Sequence, residues 1–443
     1  MPHKVTAFFL AASLCVFFSC SSKVEQKEQK TRQAGRAALK ETLLFEQEKF
    51  AALDKYIQSL TERERLAQLF VINLEGDKKF CFVERVDDES QKGRPLIPGG
   101  YIFFSFNIAR DPEQIAAFTD SVRDFARKEN CSEPFLCLDA EGGYVNRLRG
   151  VAGPLPENEW VSNNLSARSA YLLYSLNAIQ LRALGFDLNL SPVVEVQNER
   201  NQEFLDGRSF GSAEKVQEYA SAAVEAYQTN KVAAALKHFP GNNSVDPHTA
   251  LPMLSFGRDE FERDVLRPFK ALVQEKPAGV LMSHALVRAE GLGEQDESVA
   301  APASLSGYWI RQVLRGRTGF EGLVFSDDIF MAALEKNGWR GERAIQAAIL
   351  AGVNCILMSE KRFVNEWRLV KKLYASDQDF RAAADDSIKR VFAFKLKAGI
   401  LEWDFVSRTI RPCSFRPSLD DRMARFYGAK KLNEELLKNY GQK

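Results

Sequence analysis

The chain has 443 residues, of which 45% are hydrophobic and 27% are charged. This composition is sufficient for a large buried core and excludes a disordered chain. Sixty basic residues balance 59 acidic residues and no basic block stands out, so the charge pattern gives no reason to expect a nucleic-acid partner.

The N-terminal segment is typical of a bacterial lipoprotein signal. Lys4 precedes a short apolar core at 7–18, and Cys20 follows it after a serine. Cleavage before Cys20 and acylation of its thiol would anchor the mature chain to a membrane. A plain secretory signal or a single anchor helix is the alternative, but the apolar core is short for a membrane span. We therefore expect a signal peptide at 1–19, a charged tether at 20–45 and a lipid-anchored protein of the cell envelope.

Eight apolar runs follow at intervals of roughly 30 to 50 residues, with segments of helical character between them. The runs are 69–73, 101–106, 134–139, 186–194, 232–238, 278–284, 323–327 and 353–359. This alternation predicts an α/β fold, a single (β/α)8 TIM-type barrel at 46–400, followed by a helical and polar tail at 401–443. An open doubly wound sheet is the rival, but no GxGxxG motif follows the first run.

Polar residues stand where these predicted strands end, which is where the active sites of such barrels lie. Asp139 ends the third run, Lys237 and His238 end the fifth, His284 ends the sixth and Asp327 ends the seventh. His284 is equally compatible with a structural role and with substrate contact. Arg147 and Arg208 lie on the loops after the third and fourth runs, and Glu141, which precedes two glycines, is interpreted as a turn residue.

The loop after the fifth run carries a second pair of chemical groups, Asp246 and His248. Pro247 biases Asp246 toward an extended backbone, in which positions two apart point the same way. The carboxylate could then hold one imidazole nitrogen and leave the other free for proton transfer. Opposite Asp327, this dyad suits double displacement at an acetal carbon, with Asp327 attacking and His248 protonating the leaving oxygen.

Four motifs resemble the family 3 glycoside hydrolases, specifically the compact single-domain bacterial β-N-acetylglucosaminidases that recycle peptidoglycan. The motifs are Asp139-Ala-Glu-Gly-Gly with Arg147, the segment 184–193, Lys237-His-Phe-Pro-Gly241 with Asp246-Pro-His248, and the segment 319–328 ending in Ser-Asp-Asp. They occur in the family's order, and the resemblance covers about residues 55 to 400. It implies that Asp327 is the nucleophile and that His248 is the acid/base with Asp246 as its partner. It also implies that Asp139, Arg147, Arg208, Lys237 and His238 bind the sugar.

Three positions depart from the family's pattern. Ala140 replaces the usual Gln, and Glu195 stands where Asp is common after Pro-Val. Gly241 is followed by Asn242, where the family has His, and the dyad loop is shorter by about two residues. The nucleophile, the dyad and the sugar-binding residues survive all three departures, which bear on the reach of the loop and on the substrate.

Several interpretations stay open at this stage. A phosphorylase or a β-glucosidase of the same fold is the alternative enzyme, and a lipoprotein that only binds glycan or a partner protein is the non-catalytic alternative. His238, His248 and Asp246 could also be interpreted as a zinc set, but ligand spacing and an HExxH motif are absent. We expect a retaining exo-glycosidase that needs no metal or cofactor, binds a carbohydrate containing N-acetylglucosamine and acts as a monomer.

Overall fold

The computed structural model describes residues 44–87, 92–245, 250–289 and 301–441. Its centre is an eight-stranded parallel sheet. The strands are β1 (Phe70–Asn73), β2 (Gly100–Phe103), β3 (Phe135–Leu138), β4 (Leu188–Asn189), β5 (Ala233–Phe239), β6 (Gly279–Met282), β7 (Leu323–Phe325) and β8 (Ile356–Met358). Strands pair in chain order, β1 also pairs with β8, and a parallel bridge between Phe325 and Cys355 joins β7 to the segment entering β8. The predicted barrel is therefore confirmed, and each of the eight apolar runs overlaps one strand.

Helices follow most of the strands. They are α1 (Pro112–Lys128), α2 (Ala167–Ala183), α3 (Ala213–Thr229), α4 (Arg258–Glu260, Phe261–Leu266 and Arg267–Val273 in succession), α5 (Tyr308–Arg317), α6 (Gly341–Ala351), α7 (Val364–Ser376), α8 (Gln378–Lys397) and α9 (Leu419–Lys438). Shorter helical segments are Glu62–Ala67, Ser105–Asn107, Asn158–Asn164, Gln202–Leu205, Ala303–Leu305 and Ala332–Lys336, and residues 44–59 are also helical. Asp111, Ser166 and Ser212 accept backbone N–H bonds at the starts of α1, α2 and α3, which fixes where each helix leaves its loop. In the described ranges, no helix combines the length and the apolar character needed to cross a membrane.

Aromatic rings fill the inside of the barrel. The ring of Phe135 lies edge-on to Phe325 at 6.3 Å and to Phe394 of α8 at 5.2 Å. The neighbouring strands carry glycine beside these rings: an added Cβ would lie 2.4 Å from the Phe135 ring at Gly100 and 2.6 Å from the Phe325 ring at Gly279. Because the interior is packed with side chains, binding sites can form only at the two ends of the barrel.

Three two-stranded ribbons form in the loops. An antiparallel ribbon of Ala140–Gly142 and Val145–Asn146 follows β3, and a parallel one joins Met253–Phe256 after β5 to Leu286–Ala289 after β6. The third pairs Arg85–Val86 with Arg94–Pro95 after β1. Each lies in a loop that follows a barrel strand, but the third contacts Glu129 at the end of α1 through Arg85 and Arg94, so only the first two build up the end at which the strands finish.

The chain divides into two compact units. The larger unit, residues 57–402 and 411–443, contains the barrel and α9, and within it the Lys430 side chain of α9 donates to the carbonyl of Val151 at 2.8 Å. The smaller unit includes residues 44–56 and 403–410, where Phe45 lies edge-on to Trp403 at 5.8 Å. The strands Leu401–Asp404 and Thr409–Pro412 pair as a hairpin in the segment predicted only as a helical and polar tail.

Candidate active site

The strand register brings the predicted groups to one end of the barrel. Lys237 of β5 and Phe325 of β7 lie beside the same residue of β6, Leu281. Asp327 comes two residues after Phe325, and Asp139 comes directly after β3. All three polar residues therefore lie at the C-terminal end of the barrel, as predicted.

Lys237 is the centre of a buried ionic network. Its Nζ lies 2.7 Å from Asp139 Oδ1 and 2.5 Å from Glu141 Oε1, and the residue is only 3% exposed. Arg147 donates to the other oxygen of Asp139 at 3.0 Å, and Arg208 binds both oxygens of Glu141 at 2.8 and 2.9 Å. Four of the five predicted sugar-binding residues are thus joined by direct contacts, with three cations surrounding two carboxylates.

The network fixes the charge of its carboxylates. Burial favours the neutral acid and would raise the pKa of Glu141, but Lys237 and Arg208 outweigh burial and lower the pKa to about 2. Burial opposes ionisation of Asp139 in the same way, and Lys237 and Arg147 hold the pKa of Asp139 well below its usual range. Both groups are therefore ionised at every pH at which such an enzyme would work.

His238, the fifth predicted binding residue, is held by a different carboxylate. Its Nδ1 lies 2.6 Å from Glu195 Oε1, and Glu195 Oε2 accepts the backbone N–H of Asn242 at 2.6 Å. Burial raises the pKa of Glu195, but the hydrogen bond and the charge of His238 lower it by more. The pKa of Glu195 is therefore below its ordinary value. Since the Glu195 carboxylate accepts a hydrogen bond from Nδ1–H, Nε2 is the His238 nitrogen left for another partner.

Asp246 and His248 lie outside the described residues, so their pairing stays a prediction. The loop that carries them is described on both sides. On the N-terminal side of Asp246, the Asn243 side chain donates to the carbonyl oxygen of Met253 at 2.9 Å. The Ser244 hydroxyl donates to the carbonyl oxygen of Arg200 at 2.8 Å. The beginning of the shortened dyad loop is thereby fixed to the two segments beside it.

Asp327 is half-buried and only partly engaged. Its Oδ1 accepts the backbone N–H of Asp328 at 2.8 Å, and no residue in the described ranges donates a hydrogen bond to Oδ2. Asp328 caps the turn that follows, because its Oδ1 accepts the N–H of Phe330 at 3.1 Å. One oxygen of Asp327 is therefore oriented by the backbone, while the other is available for reaction.

His284 has a structural role. Its Nδ1 lies 2.6 Å from the Ser304 hydroxyl, and its Nε2 lies 3.0 Å from the carbonyl oxygen of Asp328. The residue is 1% exposed, and burial lowers its pKa despite the nearby Asp327 carboxylate. Both nitrogens are used by the protein, and they hold the backbone immediately after Asp327.

Sequence reasoning missed the roles of two carboxylates. Glu141, interpreted as a turn residue, is a buried strand residue that holds Lys237 and Arg208 together. The spacing of Glu141 could have indicated this role. Glu141 lies two positions after Asp139, and residues two apart in an extended segment point to the same face. Glu195 was predicted to lie at a strand end and noted as a departure from the family's pattern, but nothing in the sequence showed that it reaches both His238 and the dyad loop.

No group of three or more His, Cys, Asp or Glu residues suited to a metal ion occurs within the part of the chain that the structure describes. Of the alternative zinc set, His238 is paired with Glu195, whereas His248 and Asp246 lie outside those residues.

Known proteins that are similar to this chain indicate the family to which it belongs. The model of the glycosyl hydrolase family 3 N-terminal domain matches residues 61–394. A β-hexosaminidase of Alkalilimnicola ehrlichii is 34% identical over 269 residues, which cover 59% of this chain and 73% of that protein. A β-hexosaminidase of Tolumonas auensis is 33% identical over 270 residues, covering 60% of this chain and 76% of the relative. The structure is also similar to a glycoside hydrolase family 3 β-N-acetylglucosaminidase from Paenibacillus sp. FPU-7, with a TM-score of 0.68, 27% identity, and coverage of 84% of this chain and 68% of that chain.

The ionic network gives a prediction for Glu141→Gln. The substitution leaves Lys237 and Arg208 buried with one negative charge fewer, so we expect the free energy of unfolding near pH 7 to fall by on the order of 3 kcal/mol. Because the folded pKa of about 2 lies below the ordinary value of 4.5, the stabilising contribution of Glu141 is complete above pH 4.5 and is lost as the pH falls toward 2. The difference between variant and wild type should shrink accordingly when urea unfolding is followed from neutral pH downward.

The control for this measurement is Glu203→Gln, since Glu203 is exposed and its substitution should change stability little at any pH. A Glu141→Gln variant as stable as the Glu203→Gln control, or a difference that does not vary with pH, would contradict the role of Glu141.

Proposed function

The chain belongs to glycosyl hydrolase family 3 and is a glycoside hydrolase, and from that premise we propose that it is a retaining exo-β-N-acetylhexosaminidase acting on peptidoglycan fragments. The observation that carries the proposal is the Oδ2 atom of Asp327, to which no described residue donates a hydrogen bond, at the same end of the barrel as the ionised network around Lys237. The β-hexosaminidase names of the relatives support removal of a terminal N-acetylhexosamine, and the surplus cation of the network suits a substrate that carries carboxylates.

The reaction proceeds by double displacement. In the first step, Asp327 attacks the anomeric carbon while His248 gives its proton to the glycosidic oxygen, so that the C–O bond to the leaving group breaks as an ester bond to Asp327 forms. In the second step, His248 takes a proton from water, the water oxygen attacks the same carbon and the ester bond breaks. Two inversions at one carbon give net retention. Asp246 stabilises the imidazolium and so raises the pKa of His248 toward the working pH.

The network of Asp139, Arg147, Arg208 and Lys237 binds the sugar in this scheme. Charged donors and acceptors form stronger hydrogen bonds to hydroxyl groups than neutral ones do. Since the carboxylates stay ionised, substrate binding by these residues should not be lost through titration near neutral pH. His238, oriented by Glu195, adds a ring nitrogen to the same pocket.

The nucleophile is tested with Asp327→Asn. An amide at position 327 keeps the shape of the carboxylate but cannot form the ester, so kcat for an aryl β-N-acetylglucosaminide should fall by on the order of a thousandfold or more. Asp328→Asn is the matched control, because it makes the same change at the next residue, and kcat there should fall less than about tenfold. Equal activity of wild type and Asp327→Asn would refute the assignment, whereas glycosyl phosphate formed in the presence of inorganic phosphate would identify a phosphorylase.

We also propose that the mature protein is attached to the cell envelope through a lipid on Cys20, because the sequence before this residue has the pattern of a lipoprotein signal. After expression in a bacterial host, Cys20→Ser should move most of the protein from the membrane fraction to the soluble fraction. Cys15→Ser, which changes the other cysteine of the same segment, should leave it in the membrane fraction. Membrane attachment that persists in Cys20→Ser and is removed by detergent alone would contradict lipidation at this residue.

A further inference from the structure

The end of the barrel opposite the active site contains a cavity. Its volume is about 470 Å³, and it lies where β3, β4 and β5 begin, with Glu133, Asp187 and Lys231 on its wall. Seven cationic side chains but only three acidic ones line it. A volume of this size is within the range of cavities that bind small molecules.

The three acidic side chains are already occupied by arginines. Asp187, 2% exposed, accepts from Arg123 at 2.8 Å and from Arg182 at 3.1 Å. Glu133, 3% exposed, accepts from Arg127 at 2.5 Å and from Arg416 at 3.1 Å. These two carboxylates bind four arginines, of which Arg416 also contacts Asp120 at 3.6 Å and Asp124 at 3.4 Å.

The third carboxylate, Asp120, binds Arg422 through both of its oxygens. Lys231 and Arg425, both exposed at the cavity, have no carboxylate or carbonyl partner among the residues that the structure describes. In addition, Nη1 of Arg123 and Nε of Arg422 are buried without an acceptor in the described structure. The cavity thus has more hydrogen-bond donors and more positive charge than its own acidic groups can match.

Helix ends explain part of this charge. The helices α1, α2 and α3 finish at this end of the barrel, where their unpaired carbonyls favour cations. Arg123 donates to the carbonyl of Gly185 after α2 at 2.6 Å, whereas Arg127, in the last turn of α1, donates to the carbonyl of Cys413 in the loop before α9 at 2.9 Å. Lys231 lies just after the end of α3, so the helix end favours its charge, whereas Arg425 lies within α9 and its charge has no such explanation.

The arginines also disfavour one another's charge. Burial lowers the pKa of Arg416, and the neighbouring Arg123 and Arg127 lower it further, against the opposing effect of Glu133. An anion bound among these arginines would relieve this repulsion.

We propose that this cavity is a binding site for a small polyanion, a phosphate ester or a polycarboxylate, that is separate from the glycosidase centre. Arginine side chains offer paired N–H groups that match the oxygen atoms of both chemical groups. Lys231 and Arg425 stand at the exposed side and contact the anion, while the arginines paired with Asp187 and Glu133 form the floor. The proposal does not depend on the substrate of the active site at the other end of the barrel.

The test is calorimetric titration at constant ionic strength with pyrophosphate and with citrate as probes. We expect one of them to bind with a stoichiometry of one, and the double variant Lys231→Asn/Arg425→Gln to raise its Kd at least about tenfold. Asn is chosen at position 231 because Lys231 has a φ of +63°, a conformation that Asn tolerates. Both side chains are exposed, so the variant should fold normally, and Asp327→Asn should bind the probe as wild type does.

The matched control is Arg368→Gln/Lys438→Gln, which removes the same charge from exposed positions outside the cavity. Its Kd should stay within about twofold of wild type, because only non-specific attraction changes. The proposal is overturned if neither probe binds, if the cavity variant binds as tightly as wild type, or if both double variants weaken binding equally. Binding of pyrophosphate alone identifies a phosphate site, and binding of citrate alone identifies a carboxylate site.

Discussion

The ammonium group of Lys237, shared between Asp139 and Glu141, holds the candidate active site together. Lys237 belongs to β5 and the two carboxylates follow β3, so the contact bridges across β4. A buried charge is very costly unless it is paired and hydrogen-bonded, and here each carboxylate also has an arginine. The position of each charged group is thereby fixed before substrate arrives, which reduces the reorganisation that binding requires.

Packing inside the barrel explains why polar chemistry is confined to its ends. Phe135, Phe325 and Phe394 leave no room for water or substrate between the strands. The two ends then differ in charge: around Lys237 the ions nearly balance and are buried, whereas at the opposite end arginines share too few carboxylates around an open cavity. A network with one surplus cation suits a sugar that bears carboxylates, and an open cavity with a larger surplus of cations suits a free small anion.

Much of this arrangement could be predicted from the sequence because its signals are local. Each buried parallel strand is a continuous apolar run, and in a barrel the residue that ends such a run lies at the active-site end, which placed Asp139, Lys237 and Asp327 correctly. Contacts between distant segments were not predictable in this way. The sequence did not indicate that Glu141 would bind Arg208, which lies on the loop after β4. It also did not indicate that Glu195 would bind His238. The hairpin at 401–412 was likewise missed, because its short strands lack an alternating pattern long enough to recognise.

The central claim is that the carboxylate ending β7 and the imidazole on the loop after β5 act on the same anomeric carbon. It is tested most directly by a crystal structure of the Asp327→Asn variant with a bound β-linked N-acetylglucosaminide. We expect the side chain at position 327 to face the anomeric carbon, with Nε2 of His248 about 3 Å from the glycosidic oxygen on the other side of the bond. A bound sugar whose glycosidic oxygen is out of reach of His248, or whose anomeric carbon faces another carboxylate, would contradict the mechanism.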